Sequence, residues 1–212
     1  MKALVLIDVQ NDFIDGSLGS EWAQRTVPKI AEFIKAHPEY KVFATRDTHF
    51  TEDSEELKNT MDKDIIKPYK ETLECEKLPV LHCVDGTKGW ELHDLVKGLV
   101  PSENVVDKPT FMSYHPCYRE NGREDWNICT AIYWPSSAGI NLDKIDWDEI
   151  LICGFVTSIC VVANALLLRA AAPNLKISVI EDLCADVSEE NHKAALTVMQ
   201  ANQIDVIKSN EI

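Results

Sequence analysis

Short runs of apolar, often β-branched residues alternate along this chain with longer segments of helical periodicity, and this alternation strongly constrains the fold. It is typical of parallel strands joined by helices that cover both faces of a sheet. The sequence therefore predicts an α/β fold with a doubly wound, mainly parallel sheet. The predicted strands are residues 3–7, 42–45, 104–106, 150–153, 177–180 and 205–207, and the predicted helices are 27–36, 91–98, 158–172 and 188–201.

The length of the chain and two irregular stretches predict its domain organisation. A chain of 212 residues with 45% hydrophobic content suits one domain, which we expect to span residues 1–212. Residues 51–78 and 116–141 are polar and poorly periodic, and loops of this length are usually binding or lid elements. The second stretch contains several aromatic residues, so it is predicted to form a lid, an oligomer contact or both. Pro28 suits the first turn of its helix, and Ser188 suits a helix cap.

Charge and cysteine content exclude several classes of partner. The net charge is −14, with 21 basic against 35 acidic residues, which disfavours nucleic acid as a partner. The N-terminal apolar run is too short for a signal peptide or a membrane span, so we expect a cytoplasmic protein that does not bind membranes. The seven cysteines include no CxxC pair, which fits reduced thiols rather than a zinc ribbon. A small molecule is the expected ligand.

Reactive side chains follow four of the predicted strands. Asp8 follows the first strand, Asp47 and His49 follow the second, Lys108 follows the third, and Cys160 lies after the fourth at the start of a helix. In an open parallel sheet, ligands bind at the carboxyl ends of the strands. We therefore expect these five side chains to meet at one edge of the sheet.

Cys160 is the candidate nucleophile among these residues. A helix N-terminus is predicted to lower the pKa of its thiol, and the free N–H groups there can hold an oxyanion. Asp8 can accept the thiol proton, and Lys108 can stabilise the charged pair. The alternative is a buried structural thiol, which is the better interpretation for Cys153 and Cys184.

Three sequence blocks resemble those of isochorismatase-like cysteine hydrolases: LVLIDVQNDF, VVDKPTFMSY and GFVTSICVVANALLLRA. Their order and spacing match along nearly the whole chain. The resemblance implies a six-stranded parallel sheet and a catalytic triad of Asp8, Lys108 and Cys160. It also implies a non-proline cis peptide at Val156–Thr157, which aims backbone N–H groups of residues 157–160 at the oxyanion.

Within that superfamily the chain resembles the nicotinamidases, whose metal site is written Asp-x-His with a later His. Asp47, His49 and His82 resemble that set, and the resemblance implies a divalent metal, with Zn²⁺ preferred over Fe²⁺ or Mn²⁺. A fourth ligand from an upstream acidic residue is expected to be Glu74, with Glu76 as the alternative.

The substrate pocket departs from the nicotinamidase pattern. These enzymes commonly have an aromatic residue in a Trp-Pro-x-His segment, whereas this chain reads LPVLH up to His82. Phe13 is expected to form one wall of the pocket, and Phe111, Tyr114 or an aromatic residue of 116–141 the other.

The resemblance implies a cysteine amidohydrolase that forms a thioester, most simply with nicotinamide as substrate and nicotinate and ammonia as products. We also expect a homo-oligomer. The alternative within the superfamily is a hydrolase of another small amide or carbamoyl compound. A non-catalytic binding protein and a hydrolase that uses only the metal are the alternatives from other classes.

Overall fold

The computed structural model describes residues 2–59, 66–112 and 147–212, and these residues contain a six-stranded sheet. Every pair of neighbouring strands in this sheet is parallel, as predicted. The strands are β1 (Lys2–Ile7), β2 (Tyr40–Asp47), β3 (Val105–Lys108), β4 (Glu149–Phe155), β5 (Lys176–Ala185) and β6 (Asp205–Ile207). The α/β class is confirmed.

Helical segments connect the strands. They are α1 (Asn11–Ile14), α2 (Glu21–Ala36), α3 (Glu55–Asn59), α4 (Leu73–Lys77), α5 (Asp94–Lys97), α6 (Val162–Ala171) and α7 (Glu189–Ala201), with a π-helical turn at Thr157–Val161. Short 3₁₀ turns occur at Tyr69–Glu71, Ser102–Asn104 and Ser209–Glu211. Among the described residues, no helix has both the length and the apolar character needed to cross a membrane.

The strand order β3-β2-β1-β4-β5-β6 places the start of the chain in the middle of the sheet. From β1 the chain runs outward to β3, and it then returns to the other side of β1 as β4 before it runs outward to β6. Right-handed crossovers in these two directions put helices on opposite faces of the sheet. The order reverses between β1 and β4, and the crevice beyond their carboxyl ends is where ligands bind in such sheets.

The core lies along the two central strands. Residues 3–7 of β1 are fully buried, and every residue of β4 is buried, so both faces of these strands are covered. This explains why their sequences are continuous apolar runs rather than alternating patterns. Each fully buried aliphatic side chain of this kind contributes about 1.5–3 kcal/mol to folding, so the floor of the crevice is firmly held.

Gly154 of β4 pairs with Ile7 of β1 at the end of the two strands. Its φ of +127° is a conformation that residues with a side chain rarely adopt, and a Cβ there would lie 2.1 Å from the Ile7 carbonyl oxygen. The register between β4 and β5 also shifts between Ile152 and Gly154. The end of β4 therefore departs from regular pairing just before the turn that carries Cys160.

Two predicted helices have different boundaries in the structure. Helix α2 begins at Glu21 because the Ser20 side chain accepts the N–H of Ala23, so Pro28 lies inside the helix and the prediction of Pro28 in the first turn is wrong. The predicted helix 91–98 is reduced to α5, because the His93 side chain accepts the N–H of Leu95 at its start.

The two predicted excursions have different outcomes. The described part of residues 51–78 is not an unbroken loop, because it contains α3, a 3₁₀ turn and α4. The predicted excursion 116–141 lies outside the described residues, and so does Tyr114.

Candidate functional site

The three residues of the predicted triad meet at the carboxyl edge of the sheet. Asp8 directly follows β1, Lys108 ends β3, and Cys160 lies in the π-helical turn after β4. The Lys108 Nζ is 2.7 Å from Asp8 Oδ2 and 3.6 Å from Cys160 Sγ. All three side chains are at most 4% exposed. The structure therefore brings an acid, a cation and a thiol together in a site shielded from water.

Asp8 is held in an unusual conformation by its neighbour Thr45. Its φ is +49°, in the left-handed region that non-glycine residues seldom occupy. The Thr45 hydroxyl donates to Asp8 Oδ1 at 2.6 Å and accepts the Asp8 N–H at 3.1 Å. Sequence analysis passed over Thr45, and a buried polar residue inside a strand was the signal that could have found it.

Burial and the neighbouring charges set the protonation of this group. Burial raises the pKa of Asp8, and Asp47 adds to the rise while Lys108 opposes it. Burial lowers the pKa of Lys108, but Asp47 and Asp8 outweigh burial and hold this pKa well above its usual range. The lysine is therefore charged, and its positive charge lies between the carboxylates and the thiol.

The predicted lowering of the Cys160 pKa by the helix N-terminus is wrong for this structure. Burial raises the pKa of the thiol well above its usual range, and Lys108 only partly opposes this. The thiol is accordingly protonated at rest. Asp8 is the more basic of the two nearby carboxylates, since burial of Asp47 is outweighed by Lys108 and the two histidines, which hold the pKa of Asp47 well below its usual range.

The cis peptide bond is Phe155–Val156 and not the predicted Val156–Thr157. The Val156 carbonyl accepts the N–H groups of both Ile159 and Val161, each at 3.1 Å, so the π-helical turn begins at Thr157. The cis bond therefore lies one residue earlier than predicted, at the end of β4.

Two of the N–H groups predicted to face the oxyanion are bonded within the protein. Ser158 donates its N–H to Asp186 Oδ2 at 2.6 Å, and Ile159 donates its N–H to the Val156 carbonyl. The candidates that are left for this role are Thr157 and Cys160, together with Val156, whose nitrogen belongs to the cis bond. Sequence analysis missed Asp186, although its position directly after β5 is the same signal that singled out the other strand-end residues.

The predicted metal ligands form one group beside the triad. Donor atoms of Asp47, His49, Glu74 and His82 all lie within 4.8 Å of one another. The His49 Nε2 is 3.1 Å from Asp47 Oδ2, and the His82 Nε2 is 3.3 Å from Glu74 Oε1. These separations match the roughly 3.5 Å expected between ligands that each bind Zn²⁺ at about 2.1 Å in a tetrahedron. Glu74, rather than the alternative Glu76, belongs to the group.

Neighbouring groups orient two of these donors. The His82 Nδ1 lies 2.9 Å from the Val80 carbonyl, which assigns the proton to Nδ1 and leaves Nε2 to face the group. Gln10 accepts the Asp47 N–H at 2.7 Å and donates to the Asp47 carbonyl at 2.8 Å. Gln10 is another residue that sequence analysis missed, although it stands in the QNDF block. The donor set and its support fit a divalent metal.

Protons on the two imidazoles balance the carboxylates when no metal is bound. Burial lowers the pKa of each histidine, but hydrogen bonds to Asp47 and Glu74 outweigh it and raise the pKa to about 9 for His49 and about 10 for His82. A metal ion must displace these protons when it binds. Its positive charge then replaces theirs beside the two carboxylates.

Two aromatic residues, Phe13 and Trp90, lie near the predicted metal ligands. Phe13 is buried and packs edge-on against His82, with ring centroids 5.7 Å apart. Phe111 is 45% exposed, and its carbonyl accepts a hydrogen bond from Asn164 at 2.9 Å. Sequence analysis passed over Trp90, whose Nε1 donates to Thr48, next to the Asp47 ligand, at 2.9 Å.

Comparison with known proteins supports the resemblance seen in the sequence. The sequence profile of the Isochorismatase domain family matches residues 2–123 and 139–211. The chain is 29% identical to the nicotinamidase of Saccharomyces cerevisiae over 90% of both chains. It is 26% identical to the nicotinamidase/pyrazinamidase of Mycobacterium tuberculosis over 99% of this chain and 100% of that protein. Among solved structures, the zinc complex of Pyrococcus horikoshii pyrazinamidase superposes with a TM-score of 0.62 at 23% identity, covering 98% of both chains.

Proposed function

The chain belongs to the isochorismatase family, and from this premise we propose that it is a cysteine amidohydrolase that converts nicotinamide to nicotinate and ammonia. The observation that carries the proposal is the position of Lys108, whose Nζ lies 2.7 Å from Asp8 and 3.6 Å from Cys160. The similarity to nicotinamidases of two distant organisms supports nicotinamide as the substrate.

In the first half of the reaction, Asp8 removes the proton from the Cys160 thiol as the sulfur attacks the amide carbonyl. This coupling is needed because burial keeps the thiol protonated at rest. Lys108 stabilises the negative charge that passes between sulfur and carboxylate. Backbone N–H groups from Val156, Thr157 and Cys160 are the proposed donors to the oxyanion. Asp8 returns the proton to the leaving nitrogen, ammonia departs, and a thioester to Cys160 is left.

In the second half, water attacks the thioester carbonyl. Asp8, now ionised again, takes a proton from the water, and the same backbone N–H groups hold the second oxyanion. The carbon–sulfur bond breaks, the proton on Asp8 returns to the sulfur, and nicotinic acid is released and gives its proton to the solvent to become nicotinate. Lys108 remains charged throughout, which fits the high pKa that Asp47 and Asp8 impose on it against its burial.

Asp47, His49, Glu74 and His82 would hold a divalent metal, and we propose Zn²⁺, with Fe²⁺ or Mn²⁺ as alternatives. When bound, such an ion would supply a Lewis acid that could accept a lone pair of the substrate. Phe13, edge-on to His82, is proposed as one wall for the ring, and Phe111 and Tyr114 as candidates for the other.

One observation favours a second substrate class within the family. Leu81 occupies the position directly before His82, in a segment where nicotinamidases commonly carry an aromatic residue, and it is 51% exposed. A pocket without that aromatic wall is less selective for a flat ring. The second candidate function is therefore hydrolysis of another small amide or carbamoyl compound by the same triad.

A substrate panel tests the proposed function. Purified protein is incubated with nicotinamide, pyrazinamide, aliphatic amides and a carbamoyl compound, and ammonia release is measured against the Cys160→Ala variant as the control. We expect nicotinamide to give the highest kcat/KM, by roughly tenfold over non-aromatic amides, which corresponds to about 1.4 kcal/mol of discrimination. Turnover of a carbamoyl compound with none of nicotinamide would support the second candidate instead.

A further inference from the structure

The π-helical turn that carries Cys160 is held from outside by Asp186, a residue beyond the triad. Asp186 directly follows β5 and is 5% exposed. Its Oδ2 accepts the Ser158 N–H at 2.6 Å, and its Oδ1 accepts the Ser158 hydroxyl at 3.1 Å and the Val187 N–H at 2.7 Å. Both oxygens of a buried carboxylate are thus used to tie the turn to the end of the next strand.

His192 of α7 holds the residue that begins the same turn. The Thr157 hydroxyl donates to the Ala185 carbonyl at 3.0 Å and lies 2.9 Å from His192 Nδ1. A hydroxyl has one proton, so it must accept from His192, and Nδ1 therefore carries the hydrogen. The imidazole is buried and packs against Trp22, with ring centroids 5.0 Å apart.

These contacts hold the turn that contains the candidate N–H groups for the oxyanion. Thr157 is anchored through its side chain and Ser158 through its N–H and hydroxyl, so the peptide units leading to Cys160 are held from β5 and α7. Oxyanion stabilisation needs donors within about 2.7–3.1 Å of the developing charge, and losing one donor typically costs 10²–10³-fold in rate. Small rotations of this turn therefore have a large effect on catalysis.

We propose that Asp186 and His192 are positioning residues that hold the turn of Cys160 so that its backbone N–H groups face the oxyanion, an inference that rests on the proposed amidohydrolase function. Neither residue touches the reacting atoms. They act through Ser158 and Thr157, and their loss should reduce kcat far more than it changes KM.

The chain contains a matched control on the same strand. Asp182 of β5 accepts the Ser209 N–H at 2.8 Å and the Ser209 hydroxyl at 2.6 Å, which is the same pair of contacts that Asp186 makes with Ser158. It anchors the C-terminal 3₁₀ turn instead of the turn that carries Cys160. Asp186→Asn and Asp182→Asn therefore each replace a carboxylate that accepts a serine N–H and a serine hydroxyl, but in two different turns.

The experiment compares these two variants in the full chain by steady-state kinetics with nicotinamide and by thermal unfolding. We expect Asp186→Asn to lower kcat roughly 10- to 100-fold with KM within about threefold, and Asp182→Asn to keep kcat within about twofold. Equal kcat values in both variants would overturn the proposal. A rate loss that follows the fraction of unfolded protein would overturn it as well.

A second pair of variants covers the case in which Asp186→Asn does not fold. His192→Asn keeps a side-chain N–H near the position of Nδ1 and should retain most of kcat. His192→Leu removes this donor and should lose most of kcat. Equal losses in this pair would contradict the role of His192.

A test without turnover separates this inference from the proposed function. Pyridine-3-carbaldehyde adds reversibly to a thiol and forms a tetrahedral adduct, and it should protect Cys160 from iodoacetamide more weakly in Asp186→Asn than in the wild type and Asp182→Asn. If the wild type releases no ammonia from nicotinamide, the proposed function is wrong. The protection of Cys160 is measured without turnover, so it still tests the inference in that case. Equal protection in all three proteins would overturn it.

Discussion

At the scale of single residues, Asp47 links the two halves of the site. Its Oδ1 is 3.4 Å from Lys108 Nζ, and its Oδ2 is 3.1 Å from His49 Nε2. One carboxylate therefore belongs both to the charge balance of the triad and to the proposed metal site. The lysine between Asp47, Asp8 and Cys160 makes these groups an interacting unit, for which single substitutions are not expected to be additive.

The proposed nucleophile gives a direct prediction at this scale. Cys160→Ala should reduce the rate of ammonia release by at least roughly 10³-fold, because the attacking atom is lost. Asp8→Asn should be nearly as damaging, and the double variant should lose little more than Cys160→Ala alone. Steady-state kinetics of the three variants measures this.

The matched control for this prediction is Cys153→Ala, which removes another buried thiol from the strand that precedes the nucleophile turn. It should leave kcat unchanged. Residual activity well above a trace in Cys160→Ala would contradict the assignment of the nucleophile, and additive losses in the double variant would contradict a concerted role for Asp8.

At the scale of elements, the opposite edge of the sheet depends on one acidic residue. Glu149 begins β4 and is 9% exposed. It accepts the Tyr40 hydroxyl of β2 at 3.0 Å and pairs with Lys176 of β5 at 2.5 Å and with Lys2 of β1 at 3.5 Å. Four neighbouring strands therefore meet at this carboxylate, on the side of the sheet away from the triad.

The charge of Glu149 predicts how stability depends on pH. Burial raises the pKa of this carboxyl, but the Lys176 and Tyr40 hydrogen bonds outweigh burial and lower it. A group whose pKa is lowered on folding adds stability above its unfolded pKa, and this stability is lost as pH falls through the folded pKa. Glu149→Gln should therefore cost about 1–3 kcal/mol at pH 7 and less in acid.

Urea unfolding at pH 7 and at acidic pH measures this effect, with Glu21→Gln as the control. Glu21 is exposed and pairs with Arg25 on the surface of α2, so its substitution should leave the unfolding midpoint almost unchanged. A Glu149→Gln variant whose destabilisation is the same at both pH values would show that its charge contributes nothing to the fold.

At the scale of the whole molecule, the segment between β2 and α5 is joined to the sheet at the proposed metal site. His49 donates its N–H to the Cys83 carbonyl at 2.9 Å, and the Asp85 N–H donates back to His49 at 2.9 Å. The Cys83 N–H donates to Asp12 at 2.7 Å. These contacts hold the backbone near His82, whereas Glu74 comes from the short helix α4 and is half-buried.

Removing the metal is predicted to loosen this segment and to lower activity. Chelation should increase amide hydrogen exchange in residues 66–85 and spare β1 and β4, because the binding energy is shared with the ordering of the ligands. Metal affinity should rise with pH up to the imidazole pKa values of about 9 and about 10, by roughly tenfold per pH unit for each displaced proton.

Exchange measured by mass spectrometry with and without chelator, together with elemental analysis, checks these expectations. His49→Ala is the matched variant, and it should show the exchange pattern of chelated wild type whether or not a chelator is present. Freshly purified protein that contains no divalent metal, or unchanged exchange in residues 66–85, would contradict the proposed site.

Local sequence patterns were sufficient for the fold class and for much of the site. Continuous apolar runs predict buried parallel strands, and the carboxyl ends of such strands lie at one edge. The convergence of Asp8, Lys108 and Cys160 follows from this rule because each residue stands at or just beyond a strand end. The family resemblance added His82 and Glu74, which lie in segments without a clear periodic pattern.

Only the tertiary structure decided the properties that depend on contacts between distant residues. The raised pKa of Cys160 comes from complete burial, which a helix-terminus argument cannot include. Ser158 and Asp186 are 28 residues apart, so no local pattern indicates which N–H groups of the turn are already bonded. Helix α2 likewise begins at Glu21, after the cap residue Ser20, and the cis bond is Phe155–Val156, both earlier in the chain than predicted. Periodicity and strand ends are encoded within a few residues, whereas burial, charge balance and hydrogen-bond partners arise only when separate segments pack together.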